Sequence, residues 1–135
     1  MRTTWVGVPQ DLRDAATPLL HEHKRLVPGW VKFLSMKYDD NLADEYANAC
    51  SEQNYGRASL TFGPGWLNLD STEREWVVVH ELGHIALAPL ERAIEQVLEG
   101  LPKRLKQLCE KLYEDALEES VSGLAYALVK EGSVE

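Results

Sequence analysis

Residues 70–88 run DSTEREWVVVHELGHIALA. Taken alone, Val77, Val78 and Val79 suggest a strand. Two features outweigh them. Asp70 followed by Glu73 forms a capping box, with Ser71 or Thr72 as alternative caps. His80 and His84 are four residues apart, which on a helix is about 40° in projection and one turn along the same face. The segment is therefore expected to be a helix over about residues 71–88, with Pro89 ending or kinking it. Gly83 is unfavourable in mid-helix by roughly 1 kcal/mol, which suggests that another backbone approaches closely there.

The same helix carries the chemistry. His80-Glu81-Leu82-Gly83-His84 fits the H-E-x-x-H pattern, in which both imidazoles reach one metal ion and the glutamate takes a proton from a metal-activated water. The flanks support the match. Val77–Val79 upstream and Ile85–Ala88 downstream make the segment apolar on both sides, and buried histidines and a buried glutamate need partners that a metal supplies.

The rest of the 135-residue chain is read around this helix, as one domain spanning residues 1–135. A hydrophobic content of 44% suffices for a single core, and the net charge of −8 argues against nucleic acid or an anionic membrane as the main partner. No apolar run is long enough to span a bilayer, and the first residues lack the apolar stretch of a secretory signal. Cys50 and Cys109 fit no zinc-knuckle or redox spacing and are expected to be buried thiols in a reducing cytoplasm. The final residues, 131–135, are expected to fray.

Residues 9–27 are expected to be helical, with Thr17-Pro18 dividing them into two short helices. Three strands follow: residues 30–38, with Leu34, Met36 and Tyr38 on one face; a weaker one over 43–51; and a clearer one over 58–62, where Ala58, Leu60 and Phe62 alternate with polar residues. Helix returns after Pro89, over residues 90–98. Gly100-Leu101-Pro102 breaks it, and a long helix spans about 103–130. The expected class is α+β, a small antiparallel sheet packed on the motif helix and a long C-terminal helix.

A catalytic zinc ordinarily has three protein ligands, and the motif supplies two. A third histidine six residues after His84 is ruled out, because position 90 is Leu. The C-terminal helix offers Glu114, Glu118 and Glu119. Its apolar face centres between Leu117 and Val121, and Glu118 lies about 75° from that centre, at the edge of the buried face. Glu118 is the preferred third ligand, with Glu114 and Glu119 as alternatives, while Asp115 and Glu119 suit a solvated face. Ser122, one turn on, could hydrogen-bond the carboxylate or a histidine. Tyr113 is a candidate to assist an oxyanion, against a plain packing role. His21 and His23 read mainly as surface histidines. Trp5, Trp30 and Trp66 read as core or rim, and Trp76, one turn before His80, as a wall of the site.

On EWVVVHELGHIALAPL (residues 75–90) and EESVSGLA (residues 118–125), the chain resembles the gluzincins, and by its size the minigluzincins and small phage- or prophage-encoded proteins with this motif. The likeness covers roughly residues 58–128. It implies a zincin-like fold with one zinc per chain held by His80, His84 and Glu118, and Glu81 as general base for peptide-bond hydrolysis. Many gluzincins carry an aspartate where Ser122 stands, to orient a histidine. The expected function is a zinc-dependent metallopeptidase acting on peptides or unfolded segments, with the strand at 58–62 as a sheet edge for substrate. The alternative is a zinc-binding regulatory protein that keeps the fold with little or no activity.

Overall fold

A computed structural model describes residues 1–42 and 45–129 of the chain. The elements in order are β1 (Arg2–Val6), α1 (Gln10–Glu22), β2 (Phe33–Tyr38), β3 (Ala47–Glu52), β4 (Arg57–Phe62), α2 (Ser71–Glu99) and α3 (Lys103–Leu128). The α+β class stands. The expectations for residues 43–44 and 130–135 lie outside the described residues.

The sheet is mixed rather than antiparallel, in the order β1-β2-β4-β3. β1 pairs parallel with β2, β2 pairs parallel with β4, and only β3 and β4 are antiparallel. Two connections explain this. α1 carries the chain from the end of β1 back to the start of β2, and a strand–helix–strand return makes its strands parallel. After β2 the chain crosses to the far edge as β3, reverses, and inserts β4 between β3 and β2. The reversal needs Gly56. Its φ is +63°, and a Cβ there would lie 3.0 Å from the Trp30 carbonyl oxygen.

The insertion corrects a second expectation. β4, the clear strand over 58–62, is interior, and the free edge nearest the helices is β3. The five residues of β1 are mostly exposed, so no alternation marks this strand in the sequence.

One face of the sheet holds the core. Leu34 and Met36 from β2 and Ala58, Leu60 and Phe62 from β4 meet Leu12 and Ala16 from α1 and Val77, Val78, Leu82 and Ile85 from α2. Trp66 is fully buried among them and packs edge-on to Phe62. This burial explains why a run of valines is helical: with several side chains removed from water at about 1.5–3 kcal/mol each, packing outweighs a few tenths of propensity per residue.

Neither proline breaks its helix. α1 runs through Pro18, and Thr17 is inside it, donating from Oγ1 to the Arg13 carbonyl at 2.7 Å instead of capping a second helix. α2 is one helix of 29 residues that continues through Pro89, joining the two segments expected at 71–88 and 90–98. Pro89 forfeits the hydrogen bond to the Ile85 carbonyl, but α3 packs along α2, and the helix continues through the loss. The break at residues 100–102 is where it was expected.

Cys109 is half-buried and Cys50 is exposed, so the expectation of two buried thiols fails at Cys50, which faces out from an edge strand. Among the described residues no helix is long and apolar enough to cross a membrane.

The start of α2 follows the capping box: the Asp70 carboxylate accepts from the Glu73 backbone N–H at 2.8 Å. Asp70→Ala is therefore expected to destabilise the fold by about 1 kcal/mol, read as a lowered midpoint in urea denaturation.

Candidate metal centre

His80 and His84 project from α2 toward α3, and what brings α3 close is Gly83. A Cβ on Gly83 would meet the Val121 side chain at 3.1 Å. The close approach suggested by the glycine is real, but it is a side chain of α3, not its backbone, that fills the space. Glu118 lies one turn before Val121 on α3, and this contact lowers it onto the two histidines.

The result is a three-residue constellation. His84 Nε2 is 3.0 Å from Glu118 Oε1, and His80 Nε2 is 3.4 Å from Glu118 Oε2. One ligand atom from each of His80, His84 and Glu118 falls within 4.8 Å of the others. Two imidazole nitrogens and a carboxylate converging on one point could hold a divalent ion, and this N/N/O donor set suits zinc. Glu114 and Glu119 are exposed and outside the constellation.

Each histidine has a distinct setting. Trp76 stacks on His80, with ring centroids 4.9 Å apart and planes 28° apart, and Tyr126 packs against Trp76 in turn. Trp76 thus walls the site as expected. His80 Nδ1 is buried with no hydrogen-bond partner, and burial, followed by the nearby His84, lowers the His80 pKa. His84 Nδ1 faces Glu91 Oε1 at 3.9 Å, and the Glu91 carboxylate is the main reason that the His84 pKa is raised. That makes Glu91, rather than Ser122, the acidic neighbour of a histidine. Among the described residues Ser122 forms no side-chain hydrogen bond to either one. Glu91 stands seven residues after His84, two turns along the same face. It is visible in the sequence only if the helix is read through Pro89.

Glu81 points into a groove of about 990 Å³ between β3 and the two helices. Burial is the largest cause pushing its carboxyl up to about 7, with Glu118 and Glu45 adding to it. His84 and the Ala49 backbone N–H act in the opposite direction.

The Ala49 contact agrees with the sheet register. Gly63 N–H donates to the Tyr46 carbonyl at 2.9 Å, which makes residues 46 and 63 a bonded pair. In an antiparallel ladder such pairs alternate, so Asn48, Cys50 and Glu52 turn their backbone groups to β4. Ala47, Ala49 and Ser51 then turn theirs to the free edge, and the groove runs along that edge. Among the described residues its remaining charged lining is acidic, Glu45, Glu52 and Glu95 against Arg92.

Two other candidates lie elsewhere. Tyr113 is not among the residues that line the groove. Its hydroxyl is buried without a partner among the described residues, and burial, then Glu91 and Glu95, pushes its pKa up to about 12. His23 is 3.0 Å from Glu75, with Glu22 nearby, so it ties the end of α1 to α2. This second constellation offers a single imidazole against two carboxylates and lies outside the groove lining, so it is read as a structural tie. His21 is exposed.

Comparison with known protein families, curated proteins and solved structures returns no match for this chain.

Gly83→Leu is expected to destabilise the protein by about 1–3 kcal/mol in chemical denaturation, because the new side chain must displace Val121. Gly83→Ala should be close to neutral, since roughly 1 kcal/mol of helix propensity offsets a contact that Val121 can relieve by a small shift.

Proposed function

We propose that this chain is a zinc-dependent peptidase of the gluzincin type, which hydrolyses extended peptide segments in the groove beside β3. The observation that carries the reading is the convergence of His80 Nε2 and His84 Nε2 on one Glu118 carboxylate, with Glu81 half-buried next to them on the groove wall.

His80, His84 and Glu118 would hold the ion. Zinc, when bound, supplies Lewis acidity toward water and a peptide carbonyl. Glu81 does the proton work. It accepts a proton from the attacking water at its carboxylate and returns it to the nitrogen of the leaving amine. The half-buried walls formed by Trp76 and the strand limit access of bulk water on one side. Ala47 and Ser51 offer outward backbone donors and acceptors on either side of Ala49, on which an extended peptide can add as a further strand. The acidic rim of Glu45, Glu52 and Glu95 supports cationic over anionic peptides.

One observation favours a second reading, a zinc-binding regulatory protein with little or no turnover. Among the described residues His80 Nδ1 has no partner, so none of them fixes the tautomer of that ligand or raises its basicity.

Metal analysis and mutation separate these readings. Wild type is expected to bind one zinc per chain, and His80→Ala to lose it. Glu118→Ala should weaken zinc affinity by about 10-fold or more, with Glu119→Ala near wild type. The reverse order would move the third ligand to Glu119. Glu81→Gln should keep the metal and abolish cleavage of unstructured peptides. Wild-type cleavage by Glu81→Gln would contradict the assigned base, and zinc binding without cleavage in wild type would select the second reading. Among substrates, peptides with lysine beside the scissile bond should be cut faster than the same peptides with glutamate.

A further inference from the structure

The helical hairpin formed by α2 and α3 carries an apolar surface that the proposed chemistry does not use. Between residues 90 and 116 the only buried residue is Leu98. Leu90 and Val97 on α2 and Leu105, Leu108 and Leu112 on α3 are each between 47% and 68% exposed.

These five side chains form one surface. At about 100° per residue, Leu90 and Val97 lie about 20° apart, and Leu105, Leu108 and Leu112 fall within about 60°. The residues through which the helices meet are displaced from both stripes in the same way. Ile94 and the buried Leu98 lie about 40° and 80° ahead of Leu90, and the half-buried Cys109 and Tyr113 lie about 40° and 80° ahead of Leu105. The helices are antiparallel, so an equal lag from the line of contact puts both stripes on the same side of the hairpin. His84 and Glu91 lie on the leading side of α2, so the groove opens on the other side.

Among the described residues nothing covers this surface. Its exposed apolar area is roughly 450 Å², in the range of patches that mark interaction sites. In interfaces between identical subunits about 65% of the buried area is apolar, so a two-fold contact that covered this patch would bury about 700 Å² per partner, close to the roughly 800 Å² of a standard interface. A shallow two-helix ridge is also self-complementary about a two-fold axis, where two hairpins close into a four-helix bundle.

We propose that this face of the hairpin joins two copies of the chain into a two-fold dimer, with both grooves facing outward. Leu108 and Leu112 sit near the centre of the contact. The interface does not depend on the metal or on hydrolysis.

The test is sedimentation equilibrium of the full chain up to about 100 µM, a range that captures a micromolar dimer. Wild type is expected at twice the 15.2 kDa chain mass. Leu108→Glu with Leu112→Glu should raise the dissociation constant at least about 100-fold. Because both residues are exposed in the single chain, the double variant should keep its helical circular dichroism. Val97→Glu, on the other helix, is the second variant and should also weaken the dimer. Val6→Glu, an exposed apolar position on β1, should leave it intact. A wild-type chain of single mass throughout the range overturns the proposal, whether or not it binds another protein. So does a dimer that both the double variant and Val97→Glu leave unchanged.

Discussion

The contact between Gly83 and Val121 is the constraint on which the site depends. Two histidines on one helix define a direction but not a closed metal site. A carboxylate must arrive from another element at a distance set to a fraction of an ångström. Gly83 has no side chain, so α3 can settle until Val121 occupies the space a Cβ would crowd. Glu118, one turn away, then reaches both imidazoles. Mid-helix glycine costs α2 about 1 kcal/mol of propensity. The burial of Val77, Val78, Leu82 and Ile85 against the sheet more than offsets it.

The sheet contributes in a different way. Inserting β4 between β2 and β3 leaves β3 as a free edge, with alternate backbone groups turned outward along the groove. Glu81 lies between that edge and the histidines. Its high pKa comes mainly from burial, the one cause that a groove wall imposes without another charged residue, and the Ala49 N–H tempers it. A half-buried carboxylate that faces a groove is in the setting in which general bases are found.

The site was legible in the sequence where it obeys local periodicity. His80, Glu81 and His84 follow from four-residue spacing, and Glu118 from its angle to the apolar face of α3. The α+β class and the strands at 33–38 and 57–62 follow from alternation. What was hidden depends on pairing between distant segments. The parallel sheet order requires β1, whose exposed residues carry no pattern, and it converts the clearest strand from an edge into the centre. Glu91 was hidden by Pro89, which reads as a helix end but is carried by the packing of α3. Ser122 looked placed to orient a histidine by its spacing from Glu118, yet it bonds neither one among the described residues. Spacing alone does not say which way a hydroxyl turns.

The central claim is that His80, His84 and Glu118 form a single metal centre, and zinc-edge X-ray absorption of the chain loaded with one equivalent of zinc tests it most directly. The account expects the scattering of two imidazoles and an oxygen shell with no sulfur. A spectrum with sulfur from Cys50 or Cys109, or with no imidazole scattering, would contradict it.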